Sequence, residues 1–425
     1  MKRLLVKINS KLNAQGGFLK AVSVLVSGTL FAQGISVLTL PILTRLYSPK
    51  DFSLFAVYTS LLMILSVASC LRFEIAIPIP KDNNEAIHLV LLSLISNFII
   101  SIFTALIILI FHNELIRVLK QPNFSILIWL IPIGVFFSGI YNTLQYWAIR
   151  KKKFATVTKS RMIQSISGVF VQVSMGLGGS SAIGLVIGQI FKVSAGIWRL
   201  AIDLWNDTSQ VIRDINLHHL KQSFKKNDNF PKYSTLEALA NSAGIQLPVI
   251  LIAALSIETE AGYLMLAMQI MAIPMGFIGG AVGQVYLAHA PEKYLKGELN
   301  KYTYQCILQL IKIGALPLII ICILAPFFIP FIFGSVWQRT GEMMLWMLPW
   351  FMMQLLVSPV SMSLNIIGSQ KLALILQLCG LFIRCGGLWL LSLYSVKYIF
   401  EYYVLSGFVF YIIYFFMVSF CLRGK

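Results

Sequence analysis

Apolar stretches of about 20 residues recur along the whole chain. Each is long enough to cross the hydrocarbon core of a membrane, about 30 Å thick. Backbone groups in lipid must be hydrogen-bonded within the segment itself, so stretches of this length are predicted to be helices. Only 12% of the residues are charged, against roughly 25% in a soluble globular protein. The sequence therefore predicts an all-α polytopic membrane protein.

About twelve transmembrane helices are predicted, and one long polar connection divides them into six and six. They lie near residues 21–44, 53–78, 86–111, 125–149, 160–178, 180–204, 235–256, 262–287, 304–333, 341–366, 371–394 and 400–421. The predicted organisation is two pseudo-symmetric six-helix lobes around a central cavity. It comprises an N-terminal tail at 1–20, an N-lobe at 21–204, a connection at 205–234 and a C-lobe at 235–425.

The positive charge of the chain is unevenly placed. Lys and Arg number 34, against 16 Asp and Glu, and most of the basic residues fall in alternate loops on one side of the predicted helices. The positive-inside rule places that side, which carries both termini and the connection at 205–234, in the cytoplasm. Basic residues so placed set topology and attract anionic lipid headgroups. Nucleic-acid binding is not predicted.

The sequence lacks the patterns of a catalytic or metal-binding protein. The six cysteines lie in or beside apolar stretches and form no CxxC pair, so neither a disulfide framework nor a zinc site is expected. No phosphate-binding GxxxxGK[ST] loop, no HExxH motif and no pair of intramembrane carboxylates occurs. We expect no enzyme activity, no metal and no cofactor.

Once Arg161, Arg199 and Lys371 at the span ends are counted with the loops, four basic residues fall inside predicted spans: Arg72, Lys192, Lys312 and Arg384. A cation near the centre of a bilayer costs roughly 2.5–3.5 kcal/mol or more and usually faces a cavity. Arg72 and Lys312 lie near span ends, where the side chain can instead extend to the interface. Lys192 and Arg384 are predicted at mid-span and fit a cavity better. These four are the candidate substrate-binding cations.

Glutamines accompany three of these cations at helical spacing. Gln189 precedes Lys192 by three residues, Gln309 precedes Lys312 by three, and Gln377 precedes Arg384 by seven. Residues three, four or seven apart share a helix face, so amide and cation are predicted to line one hydrated stripe. Glutamines in membrane helices also form contacts between helices. The case for these three as substrate-binding residues is therefore weaker than the case for the cations.

Glu74 is the one acidic residue well inside a predicted span. In a continuous helix it lies about 200° around the axis from Arg72, so the two are not expected to pair. Either Glu74 pairs with a cation on another helix, or it takes up a proton during transport. It is the candidate for proton or sodium coupling.

The segment from residue 26 to residue 52, VSGTLFAQGISVLTLPILTRLYSPKDF, resembles the first helix and turn of the Wzx-type O-antigen flippases. These polysaccharide repeat-unit flippases belong to the multidrug/oligosaccharidyl-lipid/polysaccharide exporter superfamily. LRFEIAIP at 71–78 and NEA at 84–86 resemble the end of the second helix and the entry to the third. Ser53 departs from the glycine common at that turn. The motif match covers roughly residues 26–90, and beyond it the resemblance rests on architecture.

This resemblance implies alternating-access transport of an undecaprenyl-diphosphate-linked oligosaccharide from the cytoplasmic to the periplasmic leaflet, for O-antigen or a related surface polysaccharide. It implies the bacterial inner membrane as the location, with a polymerase and a chain-length regulator of the same pathway as partners. A multidrug or cation antiporter of the same superfamily is the nearest alternative, and several intramembrane carboxylates would be expected there. An O-antigen polymerase is the alternative of another class, and a large periplasmic loop would be expected there.

Overall fold

The computed structural model describes residues 18–80, 82–208, 217–256, 259–367 and 370–423. These residues are almost entirely helical, and no β-strand occurs among them. The prediction of an all-α protein is confirmed.

Nine helices of the described residues precede residue 230, and most are joined by short turns. They are α1 Phe18–Leu46, α2 Pro49–Ala68, α3 Phe73–Ala76, α4 Asn83–Leu119, α5 Ile131–Arg150, α6 Phe154–Leu177, α7 Ala182–Ser194, α8 Ile197–Thr208 and α9 Leu217–Lys226. Two 3₁₀ turns, Pro122–Phe124 and Leu127–Leu130, lead into α5.

The rest of the chain is also helical, and wider π-helical turns interrupt it. Its helices are α10 Thr235–Leu255, α11 Glu260–Pro274, α12 Gly280–Leu295, α13 Leu299–Leu310, α14 Leu316–Phe333, α15 Gln338–Val357, α16 Ser363–Ile366, α17 Gln370–Leu381, α18 Gly387–Ser392 and α19 Ile399–Arg423. The π turns are Phe230–Ser234, Met275–Gly279, Ile311–Ala315 and Phe382–Gly386.

Ten stretches of the described residues are long and apolar enough to cross a membrane. They are Pro49–Ala68, Asn83–Leu119, Pro122–Arg150, Ala182–Asp207, Phe230–Leu255, Glu260–Gly279, Leu299–Phe333, Ser335–Val360, Ile375–Ser392 and Val396–Leu422. A shorter apolar helix covers Phe31–Leu46. A polytopic membrane protein is therefore confirmed, whereas the count of twelve stays a prediction.

The chain forms two compact units whose boundaries differ from those of the predicted lobes. Unit 1 contains residues 1–46, 65–112 and 126–238, and unit 2 contains residues 47–64, 113–125 and 239–425. Two segments of the first half of the sequence thus belong to unit 2. Lobes at 21–204 and 235–425 follow chain order, so they do not coincide with these units.

In unit 1, small residues bring helices α1, α6 and α7 together. The Ser165 hydroxyl donates to the Ala32 carbonyl at 2.7 Å and lies 3.2 Å from the Ser36 hydroxyl. The Gln172 amide donates to the Leu185 carbonyl at 3.2 Å. Close packing and interhelical hydrogen bonds of this kind hold helices together where surrounding lipid removes the hydrophobic driving force between them.

Ion pairs and hydrogen bonds close one end of unit 1. The Arg150 guanidinium donates to the Ile77, Pro80 and Asp82 carbonyls. Lys153 binds both carboxylate oxygens of Asp207. This end therefore collects the polar loops between α2 and α4 and between α5 and α6.

In unit 2, the beginning of α2 packs against α11 and the turn before α15. The Phe52 and Trp337 rings meet edge to face with centroids 4.8 Å apart. The Ser60 hydroxyl donates to the Gln246 side-chain oxygen at 3.1 Å. Gly262 lies so close to Pro49 that an added Cβ would lie far inside van der Waals contact of the Pro49 carbonyl oxygen.

Candidate substrate-binding cations

Arg384 occupies the π turn Phe382–Gly386 in unit 2, between α17 and α18. A π turn inserts an extra residue and leaves carbonyl groups without their usual helical partners, and such turns often mark functional sites. The Tyr402 hydroxyl of α19 donates to the Ile383 carbonyl in this turn at 2.9 Å. The Arg384 side chain is thereby held at a defined place in the membrane-spanning part of unit 2.

Aromatic rings surround the Arg384 guanidinium, and no carboxylate of the described residues lies within ion-pair distance of it. Arg384 is only 8% exposed, and Nη1 lies 3.4 Å from the Gly244 carbonyl. Its Cζ lies 4.4 Å from the centroid of the Phe410 ring and 6.0 Å from that of Trp350. In the described part of the chain, Nε and Nη2 of Arg384 and Nε1 of Trp350 have no hydrogen-bond partner.

Cation–π attraction offsets part of the desolvation of Arg384. A desolvated contact of this kind is worth about 2 kcal/mol, whereas burying an unpaired ion costs several kcal/mol. The guanidinium therefore remains a short-range source of positive potential with unused N–H donors. An anion brought near it would be attracted strongly.

Lys312 also lies in a π turn of unit 2, Ile311–Ala315, between α13 and α14. Its side chain is exposed, as are those of Gln309 and Gln305 on α13. Leu308, Ile311 and Ile313 are exposed as well, so the shared face that the spacing predicts for Gln309 and Lys312 stays a prediction. A substrate-binding role for them stays a prediction.

Lys192 lies in the last turn of α7 in unit 1 and is half-buried. Its stem packs on α6, because a Cβ added to Gly168 would lie 2.7 Å from the Lys192 Cβ. Among the residues that the structure describes, Lys192 makes no ion pair and no hydrogen bond. Gln189, one turn earlier, is also half-buried. Lys192 is therefore a cation held against a helix interface without a counter-ion there.

The structure contradicts the predicted position of Arg72 and Glu74 inside a span. Helix α2 ends at Ala68, and Leu71 and Arg72 have φ of 49° and 62°, in the left-handed region. The helical angle of 200° therefore does not apply. Arg72 Nη1 and Glu74 Oε1 lie 3.8 Å apart as an ion pair in unit 1, so the expectation that they would not pair is wrong.

Glu74 itself is buried although it lies outside the ten candidate spans. Burial raises the pKa of its carboxyl above the ordinary value, and the Arg72 charge opposes this shift only partly. In the described residues, Oε2 of Glu74 has no hydrogen-bond partner. Glu74 can thus hold a proton more readily than an ordinary glutamate.

We expect Glu74→Gln to raise the thermal midpoint of the protein at about pH 8 and to have little effect at about pH 4. A raised carboxyl pKa means that the folded state binds the proton more tightly. The stabilisation from this bound proton is fully present below the pKa that Glu74 has in the unfolded state. It is lost as pH rises through the pKa that Glu74 has in the folded state. Glutamine imitates the protonated form at every pH, so the two melting curves should separate only on the alkaline side.

Glu298 provides a control with the opposite sign. It is exposed, and the hydrogen bond and charge of Lys293 lower its pKa. The stabilisation from the charged Glu298 carboxylate is present above its pKa in the unfolded state and is lost on acidification. Glu298→Gln should therefore give no gain in thermal midpoint at about pH 8. Equal midpoints for wild type and Glu74→Gln at every pH would contradict the role assigned to the Glu74 proton.

Of the eight predicted site residues, only Arg72 and Glu74 contact one another. Lys192 and Gln189 belong to unit 1, whereas Lys312, Gln309, Arg384 and Gln377 belong to unit 2. Gln377 is half-buried on α17. Arg384 lies within a π turn, so an offset of seven residues no longer measures alignment as it does in a regular α-helix.

The sequence interpretation missed the aromatic box of Trp350 and Phe410 around Arg384. The two rings come from α15 and α19, and their distance from Arg384 in sequence left no local signal. It also missed an ion-pair cluster in unit 2 in which Arg339 lies 3.4 Å from Glu260 and 3.2 Å from Glu342. A signal existed for that cluster, because these acidic residues lie near the beginnings of apolar helices.

A family of sequences described as polysaccharide biosynthesis proteins matches residues 42–342, well over half of the chain. The chain belongs to the polysaccharide biosynthesis protein family. A comparison of this family member with curated proteins found no match.

Solved structures with the same fold include transporters and a flippase. An inward-facing multidrug resistance MATE family transporter of the MOP superfamily has a TM-score of 0.73 and 14% identity over 92% of this chain and 95% of that one. Lipid II flippase MurJ in an inward closed conformation has a TM-score of 0.71 and 13% identity, over 93% of this chain and 87% of that one. A MOP superfamily transporter from Pyrococcus furiosus has a TM-score of 0.60 and 15% identity, over 95% of this chain and 96% of that one. At these identities the likeness establishes the fold, which is that of MOP superfamily transporters.

Proposed function

We propose that the chain is a flippase that moves an undecaprenyl-diphosphate-linked oligosaccharide from the cytoplasmic to the periplasmic leaflet by alternating access. The observation that carries the proposal is the buried Arg384 guanidinium, which has unused donors and no carboxylate of the described residues within ion-pair distance. A diphosphate is the anionic group that such a lipid presents. Membership of the polysaccharide biosynthesis protein family supports a substrate of this class.

Lys192, Lys312 and Arg384 would act on the diphosphate in different ways. Lys312 is exposed, so its amine can contact phosphate oxygens directly. Lys192 is half-buried against α6 and would act through its charge. Arg384 is covered by aromatic rings and would act through its charge. At an effective dielectric constant near 20, one charge acting over about 6–8 Å contributes about 2–3 kcal/mol. Gln189, Gln309 and Gln377 would contact the sugars more weakly.

The membrane potential favours export of such a substrate. Moving one negative charge outward across an inside-negative potential gains roughly 2.3 kcal/mol per 100 mV. Counter-flow of a proton or sodium ion, for which Glu74 is the candidate, would add to this driving force. The raised pKa of Glu74 supports a proton in that role.

The proposed setting is the bacterial inner membrane, with both termini and the connection at 205–234 in the cytoplasm. The basic cluster at one end of unit 1, around Arg150 and Lys153, supports this orientation under the positive-inside rule. The polymerase and chain-length regulator of an O-antigen or related pathway are the proposed partners.

A multidrug or cation antiporter is the second candidate, and the Arg339 cluster is the observation that favours it. Glu260, Glu342 and Glu401 lie within 4 Å of the one Arg339 guanidinium. Such an excess of carboxylates suits a cationic substrate or ion. The antiporter would depend on these acids and not on Lys192 or Arg384, so variants at the two sites separate the candidates.

The double variant Lys192→Ala/Arg384→Ala is expected to abolish surface polysaccharide in a deletion strain that the wild-type chain restores. Loss of the two cations removes two favourable charge interactions with the anion, at about 2–3 kcal/mol each. Electrophoresis of the polysaccharide and accumulation of the lipid-linked precursor in the inner leaflet are the measurements. The protein level in the membrane is measured in parallel.

Lys293→Ala/Lys296→Ala is the matched control, because Lys296 is exposed and Lys293 half-buried, and both pair with glutamates outside the candidate spans. This control should restore normal polysaccharide. Normal polysaccharide from Lys192→Ala/Arg384→Ala at wild-type protein level would overturn the proposal. Loss of drug resistance with unchanged polysaccharide would favour the antiporter.

A further inference from the structure

Helix α9, Leu217–Lys226, carries its positive charge on the side that faces away from unit 1. Lys221 and Lys225 are exposed, as is Gln222 between them. Residues four apart lie on one helix face, so the two amines form a single outward stripe. The helix contains no acidic residue, and among the described residues neither lysine makes an ion pair. Within the described part of the chain, the stripe is therefore a positive surface without a paired carboxylate.

Three contacts fasten helix α9 to unit 1. The Lys226 amine binds the Glu85 carboxylate at 2.6 Å. The Phe224 and Phe73 rings have centroids 5.5 Å apart, and those of His219 and His88 are 5.9 Å apart. These contacts fix the rotation of α9 about its own axis. The outward direction of Lys221 and Lys225 is thus determined by the fold.

Neighbouring residues show at which depth α9 lies. Leu220 of α9 and Leu204 of α8 pack against the same buried cluster of unit 1. Trp205, next to Leu204, is 66% exposed, and Trp198 and Ile202 continue this exposed stripe along α8. Exposed tryptophans at the end of a membrane helix mark the level of the lipid headgroups. The exposed Trp205 ring at the end of this candidate span supports a position for helix α9 near the headgroups.

We propose that α9 is an interfacial helix whose Lys221 and Lys225 bind the headgroups of anionic phospholipids. A basic, amphipathic helix at the membrane surface is attracted to anionic lipid, and Phe224, which is 41% exposed, lies at the edge of the lysine stripe as an apolar contact for the acyl boundary. The leaflet is the cytoplasmic one if the proposed orientation holds. The inference does not depend on the transported substrate.

An acidic segment of a partner protein is the other ligand that a lysine stripe could bind. Lipid is favoured because Leu220 of α9 packs on the same cluster as Leu204, which is next to the exposed Trp205 at the end of a candidate span. Anionic lipid also surrounds the protein at high local concentration. The two ligands are separated by working with purified protein and defined lipids.

The test uses the full chain in nanodiscs that contain phosphatidylglycerol and phosphatidylcholine. Native mass spectrometry measures the retention of phosphatidylglycerol relative to phosphatidylcholine as salt is raised. Each basic residue near an anionic surface contributes about a fivefold change in binding. We expect Lys221→Gln/Lys225→Gln to reduce the preference for phosphatidylglycerol about 25-fold, whereas Lys221→Arg/Lys225→Arg retains it.

Lys293→Gln/Lys296→Gln is the control, since it removes the same number of charges from lysines that are paired with Glu298 and Glu292. It should keep the wild-type lipid preference. An unchanged preference in Lys221→Gln/Lys225→Gln would overturn the proposal, and so would an equal loss in the control. The arginine variant keeps the charge, so its result remains decisive even if the glutamine variant is unstable. Failure of the flippase test would leave this lipid preference unaffected.

Discussion

Replacing Arg384 with methionine is expected to reduce transport roughly 30- to 100-fold while leaving the protein at least as stable as wild type. The functional loss follows from removing a charge that contributes about 2–3 kcal/mol to an anion held about 6–8 Å away. The free energy of unfolding should stay the same or increase. Exchanging a poorly compensated buried charge for an apolar side chain of similar length is often neutral or stabilising by about 1–4 kcal/mol.

The measurements are thermal unfolding of the purified protein and flipping of a lipid-linked diphosphate in proteoliposomes. Arg384→Lys is the matched variant: it keeps the charge but loses the planar stacking on Phe410, which lies 4.4 Å from the guanidinium carbon. It should retain part of the activity. A methionine variant that unfolds at much lower temperature would show that Arg384 serves packing, and one that transports normally would remove it from the substrate site.

Gly262→Ala is expected to lower the free energy of unfolding by about 1–3 kcal/mol, the usual cost of an overpacked contact. The new methyl group would meet the Pro49 carbonyl oxygen and lie 3.0 Å from the Ser53 nitrogen. Both are backbone atoms near the beginning of α2, so no flexible side chain can move aside. The beginnings of α2 and α11 would have to separate.

Gly280→Ala is the control, because an added Cβ there meets nothing within 4 Å. Alanine favours a helix over glycine by about 1 kcal/mol, so this variant should melt at the wild-type temperature or slightly above it. Thermal midpoints in one detergent compare the two variants. Equal midpoints for Gly262→Ala and Gly280→Ala would contradict the close packing of α2 on α11.

Most helical segments could be predicted because lipid imposes a simple requirement on length and polarity. The predicted span at 86–111 lies within α4, and the one at 400–421 lies within α19. The prediction of the span at 53–78 is wrong at its C-terminal end, because the helix ends at Ala68. Apolar residues continue to Pro80, but the chain turns through the left-handed Leu71 and Arg72, and hydropathy carries no information about backbone turns.

The site could be predicted in composition but not in arrangement. Charge and hydropathy identified Lys192 and Arg384 as unusual in apolar helices, and both lack a carboxylate partner in the described part of the chain. Their surroundings could not be read from spacing. Trp350 and Phe410 reach Arg384 from helices distant in sequence, and a π turn alters the phase that helical offsets assume.

The sequence by itself determined that this is a helical membrane protein with cations inside apolar segments. It could do so because the cost of an unsatisfied backbone group or charge in lipid acts on each segment separately. Tertiary structure decided the surroundings of those charges: Arg72 has an ion pair, Arg384 has aromatic rings, Lys192 lies against a helix interface, and Lys312 is exposed. The energy of a buried charge depends on atoms brought to it from elsewhere in the chain, so only the folded packing could decide this.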